Sequence, residues 1–381
     1  MSKILFDGTS CQGTTHVFFH GGGEYAKFIL KEAIRFGYQF DIVFDNTLQT
    51  DAEVQQMMSN SHGITRHEVS SKTEIYALIN KEHYDCFFSA LPAKYHDYPC
   101  STPLFGVIHG LRSIELPWDF YRYKYSKNIG DKIRGWIISH CPAIQDHLKR
   151  KHITQSERLL NIPNARFIVV SEHTKHSVLF FYPNLKPENI SVFHSPFSIE
   201  EVCSNQTKDN YFLMVSGNRY EKNVYRAILA FDRLFSAGWL QGKKVKITGC
   251  QNMSLWKEIR HRDRFELLPY VSTEELNLLY ERAFCFVYPS LNEGFGYPPL
   301  KAMGYGTPVA ASSATSIPEV CGDAACYFSP TNIDDMANRI LRIDLNTSFR
   351  EKLVERGYVR VHELLDKQNH DVSNLLKMIF E

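Results

Sequence analysis

The fold of this chain is decided by the stretch Tyr288-Pro-Ser-Leu-Asn-Glu-Gly-Phe-Gly-Tyr-Pro-Pro-Leu-Lys-Ala-Met303. The apolar run over residues 284–288 predicts a buried strand that ends at the first proline. Gly294 and Gly296 allow positive φ angles and a close approach of the backbone to a ligand. The paired prolines that follow suit the first turn of a helix. The pattern predicts a strand, a turn that carries Glu293, and a helix start that favours an anion.

A carboxylate beside an anion cradle suits an enzyme of nucleotide sugars, because the carboxylate holds sugar hydroxyls and the amides hold the diphosphate. The stretch resembles the Glu-Gly-Phe-Gly-x-Pro-x-x-Glu motif of glycosyltransferase family 4, the retaining group 1 glycosyltransferases with the GT-B fold. The resemblance continues through Gly306-Thr-Pro-Val-Ala310, Ser316-Ile-Pro-Glu-Val320 and Gly322-Asp-Ala-Ala325. It implies that Glu293 binds the donor sugar, together with Gly294, Phe295 and Gly296.

One position of the motif departs from the family. Lys301 stands where the second glutamate of the family contacts the ribose. A lysine donates hydrogen bonds but cannot accept them. We therefore expect Lys301 near the nucleoside with a changed grip on the donor, as a contact to phosphate or acceptor or as a substitute in a vacated ribose contact.

Composition limits the class of protein. The chain has 381 residues, 44% hydrophobic and 22% charged, which fits two soluble domains. A net charge of +1 argues against nucleic acid as a partner. Nine scattered cysteines without a Cys-x-x-Cys pair indicate reduced thiols. No signal peptide or apolar run of about 20 residues is present, so a cytoplasmic protein is expected.

Short apolar strands alternate with amphipathic helices in both halves of the chain, which predicts parallel doubly wound sheets. Polar, turn-rich residues 196–210 interrupt the alternation and predict a linker. The expected fold class is α/β, with two Rossmann-like domains facing across a cleft as in GT-B. The predicted domains are an acceptor-side domain (1–198), a nucleotide-sugar domain (199–365) and a C-terminal helix (366–381) that crosses back to the first domain.

Two further motifs lie where strands meet helices. Gly21-Gly-Gly-Glu24 opens the first predicted helix, and a glycine-rich helix start predicts a phosphate cradle that includes Gly22 and Gly23. Arg219 and Lys222 follow the first strand of the second domain, where a diphosphate can collect both cations. They resemble the family's Gly-Arg-x-x-x-Lys-Asn element, which implies that both bind the donor diphosphate.

Weaker resemblances concern the base and the reacting centre. Tyr270 and Val271 match the family segment that contacts the nucleoside. His109 matches a strand-end histidine that faces the donor sugar or the acceptor, although Gly110 replaces the aspartate that usually follows it. A histidine at this place can shuttle a proton. The resemblance therefore gives Glu293 and His109 as the catalytic residues.

The function expected from these motifs is retaining transfer of a hexosyl group. The donor is a nucleoside diphosphate sugar, and the acceptor is a hydroxyl of a glycan or lipid-linked saccharide, in cell-surface polysaccharide or glycoconjugate assembly. No cofactor or metal is expected, because Arg219, Lys222 and helix dipoles meet the diphosphate charge. Two alternatives stay open, a nucleotide-sugar epimerase and a non-catalytic binding subunit. The donor base (GDP, UDP or dTDP) stays open as well.

Residues 122–158 concentrate positive charge in an otherwise neutral chain. They contain nine cations and three acids. Four aromatic residues, which favour an interface, lie in or beside them. This composition predicts either a peripheral contact with a membrane or a solvated helical surface. The cations are Arg122, Lys124, Lys127, Lys132, Arg134, Lys149, Arg150, Lys151 and Arg158.

Overall fold

The computed structural model describes residues 2–13, 21–59, 61, 63–126, 128–199, 207–250 and 258–381. The chain forms two compact units, each of which contains its own parallel sheet. Unit 1 consists of Met1–Leu111, Lys151–Pro196 and Asp366–Glu381. Unit 2 consists of Arg112–Arg150 and Phe197–Leu365.

The sheet of unit 1 has seven parallel strands in the order β5-β3-β1-β6-β7-β8-β9. A separate antiparallel ribbon pairs β2 with β4. The strands are β1 (Ile4–Asp7), β2 (Gln12–Gly13), β3 (Phe40–Asp45), β4 (Gln49–Thr50), β5 (Ile64–Val69), β6 (Cys86–Ser89), β7 (Leu104–Ile108), β8 (Arg166–Val169) and β9 (Ile190–Val192). The helices over the same stretch of chain are α1 (Gly21–Arg35), α2 (Ala52–Ser59), α3 (Lys72–Glu82), α4 (Arg112–Glu115), α5 (Ile129–His140), α6 (Pro142–Leu160) and α7 (Glu172–Phe181).

The sheet of unit 2 has six parallel strands in the order β12-β11-β10-β13-β14-β15. The strands are β10 (Tyr211–Met214), β11 (Lys244–Ile247), β12 (Phe265–Leu267), β13 (Cys285–Tyr288), β14 (Val309–Ser312) and β15 (Ala325–Phe328). The helices are α8 (Val224–Ser236), α9 (Thr273–Arg282), α10 (Pro298–Gly304), α11 (Ile317–Cys321), α12 (Ile333–Leu345) and α13 (Thr347–Phe380).

Burial explains why these segments become strands. Strands β10, β13 and β14 are buried at every residue. Continuous Val, Ile and Phe runs of this kind pack between helices on both faces of a parallel sheet. Helix α8 supplies one such cover, with Val224, Ile228 and Phe231 fully buried in the core of unit 2. The predicted class of two doubly wound parallel sheets is confirmed.

The strand order reverses direction once in each sheet. In unit 1 the reversal lies between β1 and β6, and in unit 2 it lies between β10 and β13. Connections leave these neighbouring strands in opposite directions, so a crevice opens at their carboxyl ends. Ligands of open α/β sheets bind at such a crevice.

The unit boundaries differ from the predicted domains. Residues 112–150 were predicted in the first domain, but they group with unit 2. The segment 112–150 contacts residues of unit 2 that are distant in sequence. Arg226 forms an ion pair with Asp119, and the Tyr225 amide donates a hydrogen bond to Tyr125 Oη. Part of the predicted linker, residues 200–206, lies outside the described residues.

The predicted C-terminal helix is the last part of a longer one. Helix α13 runs without interruption from Thr347 to Phe380. Gly357 lies within it, and an added methyl group there would lie 3.1 Å from Met303 Cγ. The glycine therefore permits close packing on α10 without ending the helix. Among the described residues, none of the helices combines the length and the hydropathy that crossing a membrane requires.

Candidate active site

Two loops line the crevice of unit 2. One loop follows β10 and contains a short 3-10 turn, Tyr220–Lys222; the other follows β13. The Glu221 carbonyl accepts hydrogen bonds from the Leu291 amide at 2.7 Å and from Ser290 Oγ at 2.9 Å. These bonds fix the loops to each other and bring the two sequence motifs together.

Lys222 and Glu293 form a buried ion pair in this crevice. Lys222 Nζ lies 2.6 Å from Glu293 Oε1, and only about a tenth of each side chain is exposed. Ser290 Oγ donates to the same carboxylate oxygen at 2.5 Å. Lys222 Nζ also donates to Tyr288 Oη at 3.2 Å. The structure therefore places the two residues that were predicted to hold the diphosphate and the sugar in direct contact.

The ion pair keeps the Glu293 carboxyl ionised despite its burial. Burial alone raises the pKa of the Glu293 carboxyl, but the charge of Lys222 and hydrogen bonds from Lys222, Ser290 and Tyr288 outweigh it and lower the pKa below its usual value. Burial and the nearby Glu293 raise the pKa of Tyr288 well above its usual value. Glu293 is thus a carboxylate at neutral pH, and Tyr288 is a neutral hydroxyl.

The turn that carries Glu293 is held by residues that the sequence motifs leave without a role. The Glu293 amide donates to Thr315 Oγ1 at 3.0 Å. Ser316 Oγ lies 2.9 Å from the Glu293 carbonyl and 2.8 Å from the Phe295 carbonyl. Gly296 has a φ of +91°, which accounts for the glycine. The Phe295 side chain is buried, so only its backbone can face a ligand.

Arg219 lies beside this pair with a carboxylate partner of its own. Arg219 Nε donates to Glu221 Oε1 at 2.7 Å, and Arg112 Nη1 donates to the same oxygen at 3.0 Å. Burial alone raises the pKa of Glu221, but Arg219, a backbone hydrogen bond and Arg112 outweigh it and lower the pKa. Sequence reasoning gave no role to Glu221, which occupies a variable position between Arg219 and Lys222, or to Arg112, which comes from a distant part of the chain.

The predicted nucleoside residues Tyr270 and Val271 follow β12, which is separated from β10 by one strand of the sheet. The Tyr270 side chain is 71% exposed. A methyl group added to Gly249 would lie 3.1 Å from Tyr270 Cε1 and 3.2 Å from Ser216 Cα, so the tyrosine ring flanks the loop after β10. Val271 follows it and is half-buried. An exposed aromatic ring beside the crevice suits stacking on a base.

Lys301 occupies the middle of α10. Its side chain is half-buried, and its ammonium lies 6.0 Å from the centre of the Tyr280 ring. Helix α10 has only seven residues. The Lys301 ammonium thus makes a cation–π contact with Tyr280 within unit 2, and the motif does not predict this contact.

Gly22 and His109 meet in unit 1. Helix α1 begins at Gly21, and a methyl group added to Gly22 would overlap Leu91 and lie 3.3 Å from His109 Nε2. His109 Nε2 lies 2.9 Å from the Ala90 carbonyl, which can only accept, so this nitrogen carries a proton. Gly110 has a φ of +126°, which explains glycine where the family has aspartate. Gly23 is buried within the first turn of α1.

Unit 1 also contains an open cavity of about 710 Å³. It lies where β3 and β5 end, next to the ribbon of β2 and β4. Most of its lining side chains carry amides or charges, which are groups that bind sugar hydroxyls. They include Asp45, Asn46, Gln49, Asp51, Arg66 and Glu68.

The predicted site residues thus fall into two groups. Unit 2 holds Arg219, Lys222, Tyr270, Val271, Glu293–Gly296 and Lys301; unit 1 holds Gly22, Gly23 and His109. Over the described part of the chain, histidine, cysteine and carboxylate side chains form no group of three that could hold a metal ion.

The part of the chain that forms the crevice is similar to a known protein family. The family model "Glycosyl transferases group 1" matches residues 198–360. The chain is 30% identical over 181 residues to the O-antigen chain mannosyltransferase RfbU of Salmonella typhimurium. That match covers 46% of this chain and 50% of the relative. This chain is also 39% identical over 118 residues to the O-antigen chain mannosyltransferase B of Escherichia coli. That match covers 30% of this chain and 31% of the relative.

Similarity at the level of fold extends further. Anabaena Alr3699/HepE, solved in complex with UDP-glucose, aligns over 99% of this chain and 100% of its own with a TM-score of 0.68 and 13% identity. This similarity concerns the fold, which is that of GT-B glycosyltransferases. The matched sequence regions span half or less of the length of the two mannosyltransferases.

Proposed function

We propose that the protein transfers a hexosyl group from a nucleoside diphosphate sugar, because the model of the group 1 glycosyltransferases matches residues 198–360. The acceptor is a hydroxyl of a glycan or lipid-linked saccharide in the assembly of a surface polysaccharide. Both mannosyltransferase relatives favour mannose as the transferred sugar. Transfer proceeds with retention of the anomeric configuration.

The contact between Lys222 and Glu293 is the observation that carries this proposal. In a nucleoside diphosphate sugar, the sugar hydroxyls and the phosphate are separated by a few bonds. A site for it needs an anion-binding group and a hydroxyl-binding group side by side, at the strand ends where the sheet order reverses. Lys222 Nζ and Glu293 Oε1 are 2.6 Å apart at that place. The sugar–phosphate junction of the donor binds there.

The remaining donor contacts follow from this anchor. Arg219 moves from Glu221 to the phosphates, with 44% of its side chain exposed for the exchange. The ring of Tyr270 stacks on the base. Positive charge matters most in the transition state, because the leaving nucleoside diphosphate gains negative charge as the glycosidic bond breaks.

The transfer step exchanges one bond to the anomeric carbon for another. The bond to the phosphate oxygen breaks, the acceptor oxygen bonds on the same face, and the acceptor proton passes to a phosphate oxygen. Glu293 holds the sugar hydroxyls, while Lys222 and Arg219 hold the leaving phosphates. Amide and carboxylate side chains line the cavity of unit 1, and such groups can bind glycan hydroxyls. His109, at the end of β7 and apart from the residues that line this cavity, is the proposed contact to the donor sugar or the acceptor.

The test combines donor binding with transfer. Thermal shift and calorimetry with GDP, UDP, dTDP and their sugars identify the donor, because a ligand of the native state raises its stability. Glu293→Ala should then lower transfer by about ten- to a hundredfold, since a lost hydrogen bond to a charged group costs about 1.5–3 kcal/mol. The exposed Glu274→Ala on α9 is the matched control. Glu293→Gln, which preserves side-chain size, guards against a folding defect.

The outcomes separate the open alternatives. Transfer by Glu293→Ala within twofold of the parent contradicts the assignment of the site. Turnover of the donor to a modified free sugar without any acceptor indicates an epimerase. Tight donor binding with neither hydrolysis nor transfer, across a panel of glycan and lipid-linked acceptors, indicates a binding subunit.

A further inference from the structure

Helix α5 presents an apolar face to solvent. Ile129, Ile133, Trp136 and Ile137 follow the i, i+4, i+7 and i+8 spacing of one helix face. Their side chains are 44% to 76% exposed. The opposite side of the helix is packed, since Ile138 is buried and Gly135 approaches Tyr123. A folded unit rarely leaves four large apolar residues together in water without a partner.

A groove continues this face toward α6. Its volume is about 360 Å³, and its lining includes Ile133, Ile137, Ile144, Leu148 and the charged Arg134. The lining is mostly aliphatic, which suits a hydrocarbon chain. The charged Arg134 suits an anionic group attached to such a chain.

Cations flank the apolar face. With 3.6 residues per turn, Lys132 and Arg134 lie on either side of the row formed by Ile129, Ile133 and Ile137. Lys149 and Arg150 are exposed on α6. The acids of the two helical segments within unit 2 are Asp131 and Asp146, so cations outnumber them two to one.

The structure also corrects which cations of residues 122–158 are available. Lys124 Nζ is 2.6 Å from Glu258 Oε1, and Arg122 stacks 3.5 Å from the centre of the Trp118 ring. Both are engaged within unit 2. Lys127 lies outside the described residues. The basic and apolar surface of unit 2 therefore consists of α5 and the start of α6.

We infer that this α5–α6 face docks the protein on an anionic lipid bilayer, with Trp136 and the isoleucines inserted at the boundary between headgroups and acyl chains. Amphipathic helices bind membranes by combining buried apolar area with attraction to anionic lipid. A second copy of this chain is the less favourable occupant. An isologous dimer through this face would bring like charges from Lys132 and Arg134 together. The inference does not depend on the transfer reaction, which only supplies a reason to approach lipid-linked acceptors.

Co-sedimentation with vesicles tests the inference. The full chain should pellet with vesicles of equal phosphatidylglycerol and phosphatidylcholine at low salt, and weakly with phosphatidylcholine alone. Lys132→Gln/Arg134→Gln should lower the partition coefficient about thirtyfold, because each cation near an anionic surface contributes about fivefold. High salt should have a similar effect on the parent.

The apolar contribution is measured with a matched pair of tryptophans. Trp136→Ser should reduce partitioning about tenfold, because its side chain leaves the lipid interface. Trp239→Ser, 45% exposed and also in unit 2, should leave it unchanged. Circular dichroism establishes that both variants fold.

Three results would overturn the inference: no pelleting with anionic vesicles at low salt, equal losses for the two tryptophan variants, or a dimer in lipid-free ultracentrifugation that Trp136→Ser abolishes. Nucleoside diphosphate affinity measured without lipid reports on the proposed function separately. Failure of one proposal is therefore distinguishable from failure of the other.

Discussion

Two carboxylates neutralise the cations of the crevice in the ligand-free chain. Glu293 is paired with Lys222, and Glu221 is paired with Arg219 and Arg112. Their roles differ because Glu293 lies on the glycine turn, where it can hold a sugar, whereas Glu221 holds guanidinium groups that a phosphate would otherwise take. In the proposed binding mode, the donor displaces Glu221 from Arg219.

Removing the Glu221 charge should strengthen donor binding. Glu221→Gln keeps the side-chain shape but removes the competing anion, so we expect nucleoside diphosphate affinity to rise by about tenfold. Stability should fall, because two guanidinium groups lose a charged partner. Calorimetry measures the affinity, and thermal unfolding measures the stability.

The nucleoside without phosphates is the control for this variant, and its affinity should not change. Arg219→Ala provides the opposite reference, with weaker diphosphate binding. If Glu221→Gln weakens diphosphate binding as Arg219→Ala does, Glu221 orients the guanidinium for the ligand and does not compete with it.

The sequence motifs predicted individual site residues but not the residues that contact them. The glycine and proline pattern pointed to Glu293, and the strand-to-helix position pointed to Arg219 and Lys222. Nothing local marked Thr315 and Ser316 as the residues that hold the turn, because they come from the loop after β14. Such contacts depend on which strands are neighbours in the sheet, and sequence spacing does not give that order.

Among the elements, the loop after β10 is the one whose placement the site depends on most. Gly217 opens this loop, and its amide donates to the Thr248 carbonyl at 2.9 Å. A methyl group added there would lie 2.7 Å from Ile247 Cγ2 and 2.8 Å from Cys250 Cβ. Any larger residue must therefore push the loop away from β11.

Gly217→Ala should accordingly affect both stability and binding. Overpacking of this kind costs about 1–3 kcal/mol of unfolding free energy. Displacement of the loop moves Arg219 and Lys222, so diphosphate affinity should fall as well. Denaturant unfolding and calorimetry measure the two effects.

Gly21→Ala is the matched control, because an added methyl group at the start of α1 meets none of the described residues within 4 Å. Its stability should stay within about 0.5 kcal/mol of the parent. Equal stability of the two variants would mean that the loop after β10 yields without cost.

Most elements were predictable because the pattern of apolar residues in a segment reflects how that segment is buried. The predicted strand over 284–288 contains β13, and the helix predicted over 366–381 is the last part of α13. The length of α13 was not predicted. Gly357 weakens a local helix signal, and only packing against Met303 shows why it is tolerated.

On the scale of the whole molecule, unit 1 is assembled from three separate segments of chain. The last segment contributes Leu376, Ile379 and Phe380, all buried. The Phe380 ring lies 5.0 Å from Tyr38 and 5.1 Å from Phe40, measured between ring centres. The end of α13 is therefore part of the core of unit 1.

Phe380→Ala should destabilise unit 1 by about 3–5 kcal/mol, the usual cost of removing a buried phenylalanine. Hydrogen exchange should show the loss of protection in β1 and β3. Nucleoside diphosphate affinity, a property of unit 2, should be preserved. Met378→Ala on the same helix turn, with a side chain that is 38% exposed, is the control. An equal loss in both variants would contradict a core role for Phe380.

The divided make-up of unit 1 also has a consequence for synthesis on the ribosome. Residues 1–111 and 151–196 emerge early, but residues 366–381 emerge only after all of 197–365 has been translated. At about 5–20 residues per second, that interval lasts on the order of 10–30 s. During it the nascent chain exposes the apolar surface around Phe40 that Phe380 later covers. We therefore expect chaperones to engage this part of the nascent chain until residues 366–381 emerge.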